Sequence, residues 1–333
     1  MHILVTGGAG YIGGTVTRNL LARQHAVTIF DNLCHSKRSA APEGAAFVEG
    51  DLADRGLLER VLAEGRFDGV MHFAALIEAG QSMQQPELYF RNNTAGTLTL
   101  LEAMLATGHN RLVFSSTAAC YGEPESVPIR EDAKLAPTNP YGESKLLVEQ
   151  MLRWFNQSHG LRYASLRYFN VAGAMEGYGE AHEPESHLIP LILDVALGRR
   201  DRIKIFGEDY PTEDGTCVRD YIHVQDLADA HFLALSALET RDRMIYNIGN
   251  GTGFSVRQVI DSVERVTGRA VAVEVCPRRP GDPAVLVASS EKIQRELGWS
   301  PKFGDLDTII RSAWGWHRQR YPEHTQRHPE KEA

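Results

Sequence analysis

The feature that most constrains this chain is a glycine-rich run, ILVTGGAGYIGG, which lies between a predicted strand and a predicted helix near the start of the sequence. Gly7, Gly10 and Gly13 recur at a spacing of three, and Gly8, Gly10 and Gly13 also satisfy the G-x-G-x-x-G pattern. Glycine lets the backbone approach a pyrophosphate, which then lies at the positive end of the following helix. A strand, this turn and a helix in this order predict a dinucleotide-binding unit.

A second predicted strand ends at Asp31, 18 residues after the last of these glycines, where a carboxylate can accept hydrogen bonds from both ribose hydroxyls. Its charge would repel the extra phosphate of NADP and no arginine directly follows it, so NAD is the predicted cofactor. Asp51 in VEGDLAD has two open interpretations, a contact with the adenine amino group or a helix cap. Phe73, Ala74 and Ala75 are predicted to line the cofactor cleft.

Short β-rich runs alternate with longer amphipathic runs from the first residue onward, which predicts an α/β protein with a doubly wound, Rossmann-like parallel sheet. The first predicted helix places Ile12, Val16 and Leu20 at a spacing of four, on one face that can pack on the sheet. The predicted strands are Ile3 to Thr6, Ala26 to Phe30, Ala46 to Glu49, Gly69 to Phe73, Leu112 to Ser115 and Tyr163 to Leu166.

The pattern changes after about Val171, where stretches rich in glycine, proline and acidic residues favour loops and short elements. Two later segments, VRDYIHVQDLADAHFLAL and YNIGNG, contain predicted strands that are candidates to return to the first sheet. We therefore predict a NAD-binding domain formed by residues 1–171 with about 218–249. A smaller, interleaved α/β substrate domain is predicted for about 172–217 with 250–333.

Composition and charge exclude several classes of partner. The formal net charge of −8 argues against nucleic acid, because binding its phosphates needs clustered Lys and Arg. No apolar stretch approaches the roughly 20 residues that cross a bilayer, so no membrane association is expected. The four cysteines are far apart, and His182 and His187 in EAHEPESH lack helical metal-site spacing, so no metal site is predicted. A start of MHILVTGG, without a leader, predicts a cytoplasmic protein.

Tyr141 and Lys145 in NPYGESKLLVEQML lie four residues apart, on one face of a predicted helix. A phenol has a pKa of about 10, so it is a poor base near neutrality unless positive charge stabilises the phenolate. Lys145 and an oxidised nicotinamide would supply that charge. Ser115, Ser116 and Thr117 stand at the carboxyl end of a predicted strand, where ligands bind, and a hydroxyl there can share a proton with Tyr141. The set predicts acid–base catalysis beside the cofactor.

Longer strings carry a resemblance over nearly the whole chain: GGAGYIGG, DNLCHSKR, HFAALIEAGQS, RNNTAGTL, SSTAACYGEP, NPYGESK, RYFNVAGA, IFGEDYPTEDGTCVRDYIHV and RRPGD. The chain resembles the extended short-chain dehydrogenase/reductase superfamily and, within it, the UDP-glucose 4-epimerase family. The resemblance implies that Tyr141 removes the proton of the hexose 4-hydroxyl while hydride passes from carbon 4 to NAD. The transient 4-keto sugar then turns over and is reduced by NADH on its opposite face. A UDP-hexose substrate and a homodimer are implied as well.

Together with the resemblance, the motifs predict three sets of site residues. The catalytic set is Thr117, Tyr141 and Lys145. The cofactor set is Gly7, Gly10, Tyr11, Ile12, Gly13, Asp31, Asn32, Asp51, Leu52, Phe73, Ala74, Ala75, Asn93, Ser115, Tyr141, Lys145 and Tyr168, with Phe169 also near the nicotinamide. The substrate set is Thr117, Tyr141, Asn170, His187, Leu188, Phe206, Arg219, Tyr221, Arg279 and Asp282. In this set the arginines would neutralise the diphosphate, the phenylalanine would pack on uracil and the aspartate would hold a ribose hydroxyl.

Four positions depart from the commonest residues of the family. Thr117 stands where Ser is frequent and keeps the hydroxyl, His187 stands where Asn is frequent, and Ile77 replaces a Lys often seen near the cofactor. Leu286 occupies a position often held by Tyr near the hexose, and a smaller side chain there would admit an N-acetyl group. Interconversion of UDP-glucose and UDP-galactose is therefore predicted, with other UDP-sugars (N-acetylhexosamines, pentoses or uronates) as the alternative.

Two other functions are disfavoured by residue type. A sugar-nucleotide 4,6-dehydratase usually carries Asp and Glu where Ala118 and Ala119 stand, and alanine cannot eliminate water. An inactive NAD-binding sensor could lose Tyr141, Lys145 or Thr117, and all three positions here retain competent groups.

Overall fold

The computed structural model describes residues 1–279 and 281–327. Its strands are β1 (His2–Thr6), β2 (Ala26–Asp31), β3 (Ala46–Glu49), β4 (Gly69–His72), β5 (Arg111–Thr117), β6 (Arg162–Tyr168), β7 (Asn170–Ala172), β8 (Ala174–Met175), β9 (Tyr178–Gly179), β10 (Ile203–Phe206), β11 (Val218–His223), β12 (Arg243–Ile248), β13 (Gly253–Ser255), β14 (Val273–Cys276) and β15 (Val285–Leu286).

Its helices are α1 (Tyr11–Ala22), α2 (Arg55–Gly65), α3 (Ala79–Ser82), α4 (Pro86–Tyr89), α5 (Gly96–Ala106), α6 (Pro140–His159), α7 (Leu188–Ala196), α8 (Val224–Ala237), α9 (Val256–Thr267), α10 (Glu291–Leu297), α11 (Leu306–Arg320) and α12 (Pro322–Arg327). A π-helical turn, Phe90–Ala95, joins α4 to α5, and 3₁₀ turns span Arg38–Ala40 and Ala118–Cys120. None of the helices in these ranges is both long and apolar enough to span a membrane.

The central sheet has seven parallel strands in the order β12-β6-β5-β4-β1-β2-β3. The strand order reverses between β1 and β4, and the crevice at the carboxyl ends of such strands is where nucleotides bind in doubly wound sheets. The predicted fold class is confirmed. Strands β2, β5 and β6 run longer than the predicted ranges, and Asp31 and Thr117 are the last residues of β2 and β5.

Both faces of the central sheet are buried, because helices cover each of them. Ile3 of β1 packs in a cluster with α1 and α8, whereas Leu4 points to the opposite face, in a cluster with α2, α5 and α6. The predicted face of α1 packs as expected, with Val16 and Leu20 buried in the first cluster and Ile12 partly buried against it. Because successive side chains of each strand point to opposite faces and both faces are buried, the strand sequences are nearly continuous apolar runs.

A second region is built from small sheets and helices after β6. Strand β11 pairs with β7, β13 and β15, and β10 pairs with β14. Helices α7, α9 and α11 surround a separate apolar cluster that includes Ile192, Ile260 and Ile309. Of the two strands that were candidates to return to the first sheet, β12 does so and β11 does not, although α8 directly after β11 packs on the central sheet. The division into two domains remains a prediction.

Helix α6 begins where its sequence specifies. Asn139 caps it, since its side-chain oxygen accepts a hydrogen bond from the amide of Gly142 at 2.9 Å, and Pro140 occupies the first turn, where a missing N–H costs nothing. Gly160 ends the helix in the left-handed conformation that favours glycine, with φ of 69°. The cap fixes the start of α6, and therefore the position of Tyr141 one residue later.

Candidate active site

A cavity of about 1410 Å³ lies at the carboxyl ends of the central strands and extends to the second region. Pockets for one small ligand usually measure about 300–1,000 Å³, so this cavity has room for two ligands side by side. Every residue of the three predicted sets lines it except Asp51 and Asn93. The structure therefore brings together residues that are spread over most of the sequence.

The glycine loop fits closely between its neighbours. Gly7 has a φ of 72°, and a Cβ atom added to it would lie 2.6 Å from the backbone nitrogen of Ala74. A Cβ atom on Gly13 would overlap the carbonyl oxygen of Gly7. Gly10 caps α1, so a phosphate beside the loop meets the amino end of that helix. The tight turn and the open helix end are what a dinucleotide pyrophosphate requires.

Asp31 is buried at the end of β2 and lines the cavity. One carboxylate oxygen accepts a hydrogen bond from the amide of Ala9 at 3.0 Å, and the other accepts from the amide of Leu33 at 2.8 Å and the hydroxyl of Ser36 at 3.2 Å. An ionised carboxylate offers about four acceptor positions, so capacity remains for a ribose hydroxyl. Asp31 thus ties the glycine loop to β2 as well as facing the cofactor space.

Asp51 does not cap a helix, so one of its two interpretations was wrong. The cap of α2 is Asp54, which accepts a hydrogen bond from the amide of Leu57 at 2.9 Å. Asp51 instead accepts hydrogen bonds from the side chain of Asn32 at 2.7 Å and the amide of Ala53 at 2.8 Å. Its contact with adenine remains a prediction, and here it holds Asn32, which lines the cavity.

Asn93 lies in the π-helical turn, behind the cavity wall. Its side chain accepts a hydrogen bond from the amide of Leu76 at 2.8 Å and donates to the carbonyl of Leu76 at 2.9 Å. It also donates to the hydroxyl of Ser144 on α6 at 3.1 Å. Asn93 therefore fixes the loop after β4 to the helix that carries Tyr141, and its predicted contact with the nicotinamide stays a prediction.

Thr117, Tyr141 and Lys145 converge on the cavity from β5 and α6. The hydroxyl of Thr117 is within hydrogen-bonding reach of the phenol of Tyr141. The ammonium group of Lys145 donates to the carbonyl oxygen of Ser115 at 2.8 Å. The three predicted catalytic groups are thus close together. The sequence alone indicated only that Thr117 ends a strand and that Tyr141 and Lys145 begin a helix.

Burial dominates the electrostatics of this set. It raises the pKa of Tyr141 to about 12, although the hydrogen bond with Thr117 opposes the shift. It lowers the pKa of Lys145 to about 8, so the ammonium form still predominates near neutrality. A phenol with so high a pKa needs additional positive charge beside it before it can act as a base. The oxidised form of a nicotinamide ring is a group of that kind.

The three neighbouring hydroxyls at the end of β5 have different partners. Ser115 bonds with the hydroxyl of Tyr168, and Ser116 donates to the carboxylate of Glu149 at 2.5 Å. Thr117 accepts a hydrogen bond from the amide of Ala119 at 3.1 Å, and it is the one of the three that interacts with the phenol of Tyr141. Its predicted part in catalysis stays a prediction.

A buried ion pair locks α6 to the central sheet. Glu149, one turn after Lys145, accepts hydrogen bonds from Arg167 of β6 at 2.9 and 2.5 Å, and both side chains are almost completely buried. The same guanidinium donates to the hydroxyl of Tyr121 at 2.9 Å. Because Ser116 of β5 also bonds Glu149, the helix with the catalytic residues is held against two strands at once. The sequence alone did not predict this ion pair between Glu149 and Arg167, which we call the Glu149–Arg167 clamp.

The substrate side of the cavity presents cations and an aromatic ring. Arg219 of β11 forms an ion pair with Asp282, and the guanidinium of Arg279 lies 4.0 Å from the ring centroid of Phe206. The cavity lining also contains Tyr221 and Asn170, together with His187, which caps α7, and Leu188, which begins it. Positive groups are thus concentrated locally in a chain whose net charge is negative, as an anionic ligand requires.

Two departures from the family pattern occupy different places. Ile77 lines the cavity. Leu286 does not belong to the described residues that line it, and packs against a cluster of Tyr121, Ile129 and Phe169. Of that cluster, Phe169 reaches the cavity wall. The predicted influence of Leu286 on the choice of sugar stays a prediction, and Phe169 is the residue that connects it to the cavity.

Tyr178 is a site residue that the sequence reasoning missed. Its hydroxyl donates to the carbonyl of Gly10 at 2.9 Å, and its ring packs against Gly14 and beneath the guanidinium of Arg18, 3.6 Å from the ring centroid. It lines the cavity beside the glycine loop. The only local signal was an aromatic residue in the glycine-rich string GYGE, which specifies no partner.

Comparison with known proteins confirms the predicted family. The profile of the NAD dependent epimerase/dehydratase family matches residues 3–249. A UDP-glucose 4-epimerase of Lacticaseibacillus casei is 49% identical over 326 residues, which cover 97% of this chain and 98% of that protein. A crystal structure of a UDP-glucose 4-epimerase superposes with a TM-score of 0.94 at 48% identity, covering 99% of this chain and 100% of that one.

A second solved structure, UDP-glucose 4-epimerase from Brucella ovis in complex with NAD, has a TM-score of 0.92 at 44% identity and covers 94% of this chain and 97% of that one. The likeness therefore extends over the cofactor side, the catalytic set and the substrate side alike. By profile, by sequence identity and by fold, the chain belongs to the NAD-dependent epimerase/dehydratase family, among the UDP-glucose 4-epimerases.

Proposed function

We propose that this protein is an NAD-dependent isomerase that interconverts UDP-glucose and UDP-galactose by inverting carbon 4 of the hexose. The observation that carries the proposal is the meeting of Thr117, Tyr141 and Lys145 in the cavity that the glycine loop also lines. A proton acceptor and a cofactor site in one enclosed space are what oxidation and re-reduction of a single carbon require. The loop fits NAD, since Gly7 and Gly13 allow a turn too tight for side chains and the amino end of α1 lies open beside it for a pyrophosphate.

NAD bound at the loop supplies a hydride acceptor and a positively charged ring. Tyr141 accepts the proton of the sugar 4-hydroxyl when the carbon is oxidised and returns a proton when the keto sugar is reduced. Thr117 holds the phenol and the sugar oxygen in one hydrogen-bonded set. Lys145 adds positive charge beside them, and its anchor on the carbonyl of Ser115 keeps it in place through the cycle. The proton is thus transferred from the sugar hydroxyl to Tyr141 and back again, so the protonation state of the protein is unchanged after one cycle.

Arg219 and Arg279 are proposed to bind the diphosphate, with Phe206 against the uracil ring. Three observations support this assignment: Arg219 is largely buried, Arg279 lies over the ring of Phe206, and all three residues line the cavity. Asp282, now paired with Arg219, is proposed to turn to a ribose hydroxyl. These groups would hold the nucleotide while the hexose faces Tyr141.

The dehydratase alternative lacks residues for its chemistry. Ala118 and Ala119 follow Thr117 in a 3₁₀ turn, and their methyl groups can neither donate nor accept the proton of an eliminated water. The sensor alternative is disfavoured because the catalytic groups are not only present but adjacent. Epimerisation of N-acetylated or other UDP-sugars remains the alternative within the same chemistry, since Leu286 contacts the cluster behind the cavity wall.

The deciding experiment incubates the purified protein with UDP-glucose or UDP-galactose and follows the products by chromatography. Both directions should proceed to one equilibrium mixture with no stoichiometric NADH. Tyr141→Phe should lower turnover at least about a hundredfold, because general acid–base catalysis contributes 10²–10⁴-fold. Tyr163→Phe, a substitution of the same kind in the apolar core of the sheet, should leave turnover nearly unchanged. Stoichiometric NADH, or full activity of Tyr141→Phe, would contradict the proposal. A panel of UDP-sugars then ranks the substrates.

We further propose a cytoplasmic homodimer. Exposed apolar side chains on neighbouring helices support the dimer: Leu98 of α5 is 37% exposed and Trp154 of α6 is 54% exposed. The cytoplasmic location is supported by the cysteines: all four are free thiols, which persist in a reducing compartment. Light scattering after gel filtration should give twice the chain mass for the wild type, and Trp154→Glu should shift the population toward the monomer. A monomeric wild type would contradict the dimer without affecting the proposed reaction.

A further inference from the structure

We propose that the segment from Glu180 to His187 binds a divalent metal ion of the zinc class through Glu180, His182, Glu185 and His187. Each of these residues offers one ligand atom, and the four atoms all lie within 4.8 Å of one another. The segment forms part of the cavity wall and leads directly into α7. It takes no part in the proposed proton transfer, and of its four ligand residues only His187 belongs to the predicted substrate set.

The distances suit a small ion. The Nδ1 atom of His187 lies 2.8 Å from a carboxylate oxygen of Glu185 and 2.9 Å from one of Glu180, and the Nδ1 atom of His182 lies 3.1 Å from the same Glu180 oxygen. Zinc binds such atoms at about 2.0–2.2 Å, so tetrahedral ligands are about 3.4 Å apart. These three separations are shorter than that value by about 0.3–0.6 Å, and all four ligand atoms lie within 4.8 Å of one another. Small side-chain rotations would therefore place all four ligands around one ion.

The donor set identifies the class of metal. Two imidazole nitrogens and two carboxylates favour zinc, whereas magnesium and calcium prefer ligand sets made of oxygen alone. With neutral imidazoles the cluster carries two negative charges, which a divalent ion neutralises. The Glu180 side chain is only 9% exposed. Buried carboxylates in proteins are paired with cations or coordinate metal ions.

Contacts outside the cluster hold the ligands in place. The carbonyl of Glu180 accepts a hydrogen bond from the indole of Trp316 at 2.8 Å, and Glu183 pairs with Arg320 at 2.7 Å. At the other end, the hydroxyl of Ser186 donates to Glu78 at 2.8 Å. Such supporting contacts pre-organise ligands in known metal sites. The segment is thus fixed on both sides of the ligands by residues from α11 and from the loop after β4.

Four protein ligands would fill a tetrahedral zinc site and leave no position for an activated water, which is the mark of a structural ion. The ion would hold the cavity wall in front of α7. Metal removal should therefore change the Michaelis constant for the sugar nucleotide more than turnover. The binding itself does not depend on the proposed reaction and is measured without substrate.

The test uses full-length protein without a histidine tag, treated with a chelator, dialysed and titrated with zinc sulfate in a calorimeter. We expect about one zinc ion per chain, confirmed by elemental analysis, and a tetrahedral absorption spectrum with cobalt(II). Glu180→Gln and His182→Gln should each weaken zinc binding at least about tenfold, since each removes a ligand. His159→Gln, at the exposed end of α6, is the matched control and should bind zinc like the wild type.

Circular dichroism and retained NAD identify variants that have kept the fold. If Glu180→Gln does not fold, His182→Gln serves alone, because His182 is more exposed than Glu180. A wild type that binds no zinc, or binding that is unchanged in the folded ligand variants, overturns the site. Failure of the epimerase assay with intact zinc binding would instead count against the proposed reaction alone.

Discussion

The two sides of the cavity are built to hold their ligands in different ways. The cofactor side, formed by the glycine loop and the ends of β1, β2 and β4, uses backbone shape: Gly7 and Gly13 are positions where a Cβ atom would strike another part of the chain. The substrate side, formed by β10, β11 and the residues before β15, uses long side chains such as Arg219 and Arg279. Backbone shape is fixed before a ligand arrives, whereas long side chains must be ordered around it.

This difference predicts which ligand loses affinity when a residue on each side of the cavity is substituted. We expect a change of backbone shape on the cofactor side to weaken NAD binding without changing binding of the sugar nucleotide, because the glycine loop is tightly packed and local. We expect loss of a cation on the substrate side to weaken binding of the sugar nucleotide without changing NAD binding. Between them, the Glu149–Arg167 clamp holds the catalytic helix to the sheet and serves both.

The largest expected effect is on the clamp. Glu149→Gln should lower the free energy of unfolding by about 3–5 kcal/mol, because it leaves the guanidinium of Arg167 buried without a charged partner. Asp307→Asn is the control, since it breaks the pair with Arg265, whose side chain is 60% exposed, and should cost less than about 1 kcal/mol. Urea denaturation measures both. Equal losses in the two variants would mean that the clamp does not stabilise the fold as its burial implies.

Next in size is the loss of a cation on the substrate side. Arg219→Gln should weaken binding of the sugar nucleotide roughly 10–150-fold, which corresponds to about 1.5–3 kcal/mol for hydrogen bonds to a charged group. NAD binding should not change. Titration with UDP gives the first quantity and the NAD content of the purified protein gives the second. Arg257→Gln, which breaks a surface pair with Glu208, should leave both unchanged. A shared loss of NAD would show that the two sides are coupled.

The smallest expected effect is on the glycine loop. Gly13→Ala should weaken NAD binding roughly 5–150-fold, because an added methyl group in a close-packed site costs about 1–3 kcal/mol. Binding of UDP should be retained. Gly315→Ala is the matched control: this glycine lies on α11 with nothing within 4 Å of an added Cβ atom, so the change should leave NAD affinity alone. Normal NAD binding by Gly13→Ala would argue that the loop is less rigid than its packing indicates.

The same difference explains what the sequence could predict. The glycine loop and Asp31 are specified by residues close together in the chain, so spacing alone indicated their role. Tyr141 and Lys145 are likewise one turn apart on a helix with a readable cap. Local patterns of this kind report backbone geometry directly, and both groups lie in the cavity as predicted.

What the sequence could not specify depends on partners far away in the chain. Strand β11 leads directly into a helix, as several strands of the main sheet do, but it pairs with short strands outside that sheet, because tertiary contacts decide the pairing. The residue that caps α2 is Asp54 and not Asp51, three residues earlier. Both are aspartates with equal preference for the cap position, so residue type could not distinguish them. The sequence predicts no metal site in the segment from Glu180 to His187, because its histidines lack helical spacing, yet a non-helical segment brings the four side chains together.

The bond between Tyr178 and Gly10 has a consequence for the order of folding. The two residues are 168 positions apart, and the contact closes the glycine loop from outside. Contacts of such long range form late, because the loop-closure entropy of the intervening chain must first be overcome. During synthesis, the first strand, turn and helix leave the ribosome long before the tyrosine that completes them. The capacity to retain the cofactor should therefore arise near the end of folding, although most of its residues are made first.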